Sequence, residues 1–129
     1  MTGVGLLRAL IIEDEVLIAF MIEDALRELG YSVFATAATF SEAVSVGGRF
    51  EPDLITADAR LAEGCGIDAA LELCREKKIP IVFVTGNGEK VRARLRDPIV
   101  VEKPFSAEAF ARAVSEAVAR PGVFPLRAS

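Results

Sequence analysis

The chain has 129 residues, the length of one ordinary domain. With 52% hydrophobic and 26% charged residues it can bury a core, which excludes a disordered tail. A net charge of −4 argues against binding nucleic acid or an anionic membrane, and the absence of histidine excludes Ser-His-Asp and Cys-His triads, His-ligated zinc and a phosphohistidine of its own.

No apolar run approaches the roughly 18–20 residues that span a bilayer. The longest near the start, residues 16–22, is seven long and bracketed by acids. Glu13, Asp14 and Glu15 fall where a signal peptide would still be apolar, and no small-residue cleavage site follows, so the expected location is cytoplasmic. Cys65 and Cys74 stand nine apart, which is no C-x-x-C spacing, and read as reduced thiols.

In chain order, residues 6–12 are apolar apart from Arg8 and predict a buried strand. After the acids, Ile18, Met21, Ile22, Ala25, Leu26 and Leu29 recur at helical spacing, with Gly30 as the stop. Residues 31–37 predict a second strand. Thr39 and Glu42 form a capping box for a short helix expected to end near Gly47 and Gly48. Pro52 precedes a third strand, 53–57. Residues 67–77 predict a helix with Ala70, Leu71 and Cys74 inward. Pro80 opens a fourth strand, 81–84, followed by a loop from Thr85 to Gly88. Val91 and Leu95 mark a brief helix that Asp97 and Pro98 stop, and 99–101 a short fifth strand. Ser106 caps a last helix carrying Phe110, Val114 and Val118, which Pro121 and Gly122 end. Apolar strands alternating with amphipathic helices predict an α/β fold, a doubly wound parallel sheet covered on both faces.

In such a sheet ligands bind outside the carboxyl ends of the strands. Glu13 and Asp14 follow the first strand, Asp58 the third, Thr85 the fourth and Lys103 the fifth. Each alone has a plainer reading: a strand-end Asp caps a helix, a Thr forms a turn, a Lys-Pro pair lies in a surface loop. Together, three converging carboxylates demand positive charge. Lys103 supplies one unit. A divalent cation is the natural remainder, and hard oxygen donors favour magnesium over zinc or copper. The same set suits phosphoryl transfer to a carboxylate, with Asp58 as nucleophile. The metal and Lys103 would neutralise phosphoryl oxygens, the Thr85 hydroxyl would bond one, and N–H groups after Asp58 another.

These residues resemble a bacterial two-component response-regulator receiver domain. The resemblance covers residues 6–119 and rests on Glu13-Asp14-Glu15, on Pro52-Asp53 with Asp58, on Gly66 eight residues past Asp58, on Thr85-Gly86 and on Lys103-Pro104-Phe105. It implies a flavodoxin-like (βα)5 sheet in the order 2-1-3-4-5, a receiver domain over 1–120 and a C-terminal tail over 121–129. It implies a signalling module, not an enzyme, that takes a phosphoryl group from a histidine kinase or phosphotransfer protein onto Asp58. The implied roles are Asp14 as direct magnesium ligand, Glu13 as its assistant through water, Asp58 itself and the Arg60 carbonyl as further ligands, and Thr85 with Lys103 as the phosphate-sensing pair. Residues 80–87 further resemble the FAT GUY receivers through Pro80, Phe83, Thr85 and Gly86, while Ile81, Val84 and Asn87 differ. That subfamily often pairs with kinases of the HWE or HisKA2 type.

Three features depart from the family pattern. Val100 stands where the family carries Tyr or Phe, Ala62 where the loop after the acceptor usually has Pro, and the Thr85–Lys103 interval is short. The short fourth helix is also basic, with Lys90, Arg92, Arg94 and Arg96, read either as a solvated face or as a docking or oligomer surface. Three other readings compete with a free-standing module. A receiver fragment of a hybrid kinase would carry the same site. A small aspartate-dependent phosphatase usually has Asp-x-Asp, against Asp58-Ala-Arg60 here. A flavodoxin-like electron carrier needs a Ser/Thr/Gly-rich phosphate loop where this chain has three acids.

Overall fold

Strands and helices alternate without exception in a computed structural model that describes residues 5–126. They are β1 (Leu7–Ile12), α1 (Val16–Glu28), β2 (Tyr31–Ala37), α2 (Phe40–Phe50), β3 (Leu54–Ala57), α3 (Gly66–Leu73), β4 (Ile81–Thr85), α4 (Gly88–Arg94), β5 (Val100–Glu102) and α5 (Ala107–Ala119). The sheet is parallel throughout and ordered β2-β1-β3-β4-β5, the flavodoxin-like arrangement expected. β1, β3 and β4 read as continuous apolar runs because both faces are covered. Leu10, Ile12, Ile55, Ala57, Ile81 and Phe83 face α2, α3 and α4. Ala9, Ile11, Leu54, Val82 and Val84 face α1 and α5.

Several boundaries differ from the sequence reading. α2 runs through Gly47 and Gly48 to Phe50, and Glu51 caps it in the left-handed region at φ 53°. Gly47 serves packing and not a stop: a Cβ there would lie 2.6 Å from Leu73 Cδ2. α3 ends at Leu73, short of Lys77, because Arg75, Glu76, Lys77 and Lys78 are all exposed and offer no face to bury. In α5 the inward stripe is Phe110, Ala113, Val114 and Ala117, leaving Val118 outside. In α1 only Ile22 and Leu26 are fully buried, while Val16, Leu17, Phe20 and Met21 face outward. The stretch expected as a tail is hydrogen-bonded to the body over 121–126; 127–129 lie outside the described residues. Cys65 and Cys74, at opposite ends of α3, are free thiols, and burial pushes the Cys74 thiol pKa up. Among the described residues no helix is long and apolar enough to cross a membrane.

One buried group stands out. Thr56 lies in β3 between Ile11 of β1 and Val82 of β4, fully buried, and its hydroxyl has no hydrogen-bond partner. Thr56→Val keeps the shape and removes the unpaired hydroxyl. It is expected to raise stability by about 1–2 kcal/mol in urea denaturation. A variant no more stable than the parent would show that the hydroxyl is satisfied.

Candidate functional site

Four strand ends meet at one rim of the sheet. Glu13 and Asp14 follow the last residue of β1, Asp58 follows Ala57 of β3, Thr85 is the last residue of β4, and Lys103 follows Glu102 of β5. Because Ile12 pairs with Ala57, Glu13 and Asp58 emerge side by side. Backbone bonds fix each exit. Asp58 N donates to Ile12 O at 3.0 Å, Glu13 N to Ala37 O at 2.8 Å and Lys103 N to Thr85 O at 3.1 Å. The Lys103–Pro104 bond is cis. The loop after Asp58 turns at once, with Arg60 N donating to Asp58 Oδ1 at 3.2 Å. Gly66, which opens α3, lies so close that any Cβ there would overlap the Asp58 carbonyl oxygen.

Glu13, Asp58 and Thr85 are buried, and the Lys103 side chain is only 15% exposed. Lys103 Nζ lies 2.8 Å from Asp58 Oδ2, 2.8 Å from Glu13 Oε1 and 3.5 Å from Glu15 Oε2. The Asp58 contact is an aligned hydrogen bond. Glu13 Oε1 is paired with the same ammonium. Glu13 Oε2 accepts from Glu15 N at 3.1 Å. Burial works against the Lys103 charge, but the hydrogen bonds and charges of Asp58 and Glu13 outweigh it and push the pKa up to about 12. Burial pushes the Glu13 carboxyl above its usual range, Lys103 and the Glu15 N–H pull against that, and the Asp58 charge adds to it.

Carboxylate oxygens of Glu13, Asp14, Glu15 and Asp58 lie within 4.8 Å of one another. The acids open on a cleft of about 370 Å³, lined by Asp14, Glu15 and Asp58 with Arg60, Leu61, Gly86, Asn87 and Lys103. Several acids share one ammonium. An all-oxygen set with surplus negative charge fits a hard divalent cation.

The structure therefore gathers Asp14, Asp58, Arg60 and Lys103 around one cleft, with Glu13 buried against Lys103 beside it. Thr85 is fully buried beside it, and its Oγ1 accepts from Asn87 N at 3.1 Å. Sequence reasoning left Glu15 out of the ligand set although the acid run signalled it. Asn87 gave no signal beyond its place in a loop. The basic run of α4 is mostly engaged within the chain. Arg92 pairs with Glu102 at 3.2 Å and Arg94 with Asp68 at 2.6 Å, while the Arg96 guanidinium sits 5.8 Å from the Phe124 ring centroid. Of the four, Lys90 alone has no such partner among the described residues.

The single ammonium between two buried acids makes a clear prediction. Lys103→Met leaves Glu13 and Asp58 uncompensated and is expected to cost about 1–3 kcal/mol in denaturant titrations without divalent cations. Adding Glu13→Gln to that variant should recover much of the loss. Unchanged stability in the single variant would mean that water alone solvates both acids.

Comparison with known proteins places this geometry. The family model for the response regulator receiver domain matches residues 9–115. Over 113 residues the chain is 35% identical to the phyllosphere-induced regulator PhyR of Methylorubrum extorquens, covering 84% of this chain and 42% of the relative. Over 117 residues it is 36% identical to the transcriptional regulatory protein PdtaR of Mycobacterium tuberculosis, covering 88% and 57%. The chain thus spans about half the length of these curated relatives. The solution structure of the Erythrobacter litoralis PhyR receiver domain superposes with a TM-score of 0.82 at 33% identity, over 91% of this chain and 93% of that one. The receiver domain of the sensor histidine kinase PA1611 of Pseudomonas aeruginosa, described with a magnesium ion coordinated in the active-site cleft, superposes at 0.74 and 26% identity, over 89% and 99%. That family model covers most of the chain, and the chain belongs to the response-regulator receiver domains.

Proposed function

We propose that this receiver domain accepts a phosphoryl group on Asp58 from a phosphohistidine of a partner protein and signals through the altered surface. The observation that carries this is the Lys103 ammonium held 2.8 Å from both Asp58 Oδ2 and Glu13 Oε1 at the carboxyl edge of the sheet. Asp58 supplies a carboxylate held by Arg60 N on one oxygen and Lys103 on the other. As it attacks phosphorus, the bond from phosphorus to the donor nitrogen breaks and one to a carboxylate oxygen forms. Lys103 would offset charge on the phosphoryl oxygens, and the Thr85 hydroxyl would bond one of them. Magnesium, held by Asp14, Asp58 and the Arg60 carbonyl with Glu13 assisting through water, would neutralise charge on the acceptor and the incoming group. The clustered carboxylates and the magnesium-bound PA1611 receiver support that assignment.

The donor histidine lies outside these 129 residues, which contain none. A histidine kinase or phosphotransfer protein fits, and Pro80, Phe83, Thr85 and Gly86 support a FAT GUY-type receiver with an HWE or HisKA2 kinase. The outward strip Val16, Leu17, Phe20 and Met21 on α1 begins immediately after Glu15 and supports docking of an apolar donor helix beside Asp58. Such a module acts in the cytoplasm and needs neither nucleic acid nor membrane.

Acetyl phosphate with magnesium should add one phosphoryl group, seen by intact mass. Asp58→Asn or excess EDTA should abolish the adduct. An adduct surviving Asp58→Asn would sink the assignment. The docking strip gives a second test. Leu17→Ser with Phe20→Ser should leave acetyl phosphate labelling unchanged and slow transfer from a phosphorylated kinase at least about tenfold. Equal transfer rates would move the docking surface elsewhere.

A further inference from the structure

The segment beyond α5 begins with helix breakers, Pro121 and Gly122, and continues as Val123, Phe124, Pro125 and Leu126. It is bonded to the far end of α4. Arg96 N donates to Phe124 O at 2.7 Å and Leu126 N to Arg94 O at 2.9 Å, one bond on each side of an antiparallel bridge between Leu95 and Pro125. Gly122 N donates to Ile79 O at 2.9 Å and anchors the segment's start. The Phe124 ring is flanked by Lys78 Nζ at 5.5 Å and the Arg96 guanidinium at 5.8 Å. Val123 packs on the same apolar cluster as Leu95, Ile81 and Phe83.

The other end of α4 touches the candidate site. Asn87 is its N-cap residue and makes no side-chain cap bond; the turn is held by Lys90 N donating to Asn87 O at 3.0 Å and tied to β4 by Asn87 N donating to Thr85 Oγ1. α4 has seven residues and is about 10 Å long at 1.5 Å per residue. A helix this short is marginal alone and holds its place through its ends and its buried residues Val91 and Leu95. Its two ends are therefore coupled. A phosphoryl oxygen that accepts from the Thr85 O–H would draw Oγ1 toward the cleft, and the Asn87 N–H bonded to that oxygen would be pulled with it. The grip at Arg94, Leu95 and Arg96 is the outer and weaker end, since Pro125 and Leu126 are exposed.

We propose that residues 121–126 form a strap that is closed on α4 when Asp58 is bare and opens when Asp58 carries a phosphoryl group, so that the strap itself reports the state of the site. The inference rests on the phosphoacceptor reading above. Opening exposes the apolar seam between Leu95 and Val123 and frees the Arg94 carbonyl and the Arg96 N–H. Linkage makes the coupling reciprocal: whatever loosens the strap strengthens binding of a phosphoryl mimic by the same factor.

The test is amide hydrogen exchange on the full chain, with magnesium, with and without beryllofluoride. Exchange at Arg96, Gly122 and Leu126 is expected to quicken at least about tenfold when the mimic is bound. Leu126→Pro removes one strap donor at an exposed position and should bind beryllofluoride several-fold more tightly with unchanged thermal unfolding of the body. Bound mimic with unchanged exchange at those three amides, or unchanged affinity in Leu126→Pro, overturns the strap and leaves the phosphoacceptor reading standing. Absence of any beryllofluoride binding, or of any acetyl phosphate adduct on Asp58, overturns both.

Discussion

The site depends on placing one compact cation between two buried acids that come from different strands. β5 lies two strand spacings from β3 and three from β1. At about 4.8 Å per spacing, Asp58 is about 10 Å away across the sheet and Glu13 farther. Only a long side chain on the edge strand reaches both, and a lysine ammonium is small enough to sit between two oxygens. That reach holds only if β1, β3, β4 and β5 end at matched heights, so their continuous parallel register is a requirement of the site and not merely its background. The burial that makes the pair costly also makes it effective. With its pKa raised to about 12, Lys103 contributes to folding fully below pH 10.5, and that contribution is lost as pH rises through about 12.

The surroundings of Asp58 show how backbone packing serves this arrangement. Gly66 lets α3 start against the Asp58 carbonyl, which pulls the loop tight and leaves Arg60 N aimed at Oδ1. The loop is also tied to α2, since Phe40 N donates to Glu63 O at 2.9 Å. Asp58 thus sits on a rigid platform, as the proposed phosphoryl transfer would require. On the opposite side of the cleft, Gly86 and Asn87 lead into the shortest helix of the fold.

Much of this was legible because the relevant signals are local. Apolar runs marked the strands of the central sheet, and the residue just past each run marked the rim. What the sequence hid depends on contacts between distant residues. Gly47 looks like a helix stop until Leu73 is packed against it. The α4 arginines look like a free basic face until Asp68 and Glu102 are folded beside them. Residues 121–126 look like a tail because their partners, Ile79 and residues 94–96, carry no local mark of a pairing strand. Glu15 lay in plain view, but nothing in the order of residues says that its carboxylate turns back toward Lys103.

Val100 adds a final constraint. At this half-buried β5 position a valine has one stiff torsion and no polar tip, so it cannot swing between two hydrogen-bonded rotamers as a tyrosine could. Whatever passes from the cleft to the surface must go through elements that can be repositioned. The acids stand on β1 and β3, central strands in a core packed on both faces, and offer no second arrangement. α4 is different. Besides the core residues Val91 and Leu95, its ties are the Thr85–Asn87 turn, two exposed ion pairs to Glu102 and Asp68, and an edge of backbone bonds at 94–96. Exposed ion pairs contribute little individually and are remade easily. The fold thus concentrates its marginal contacts on the one helix that adjoins the site, and a two-state response needs such an element.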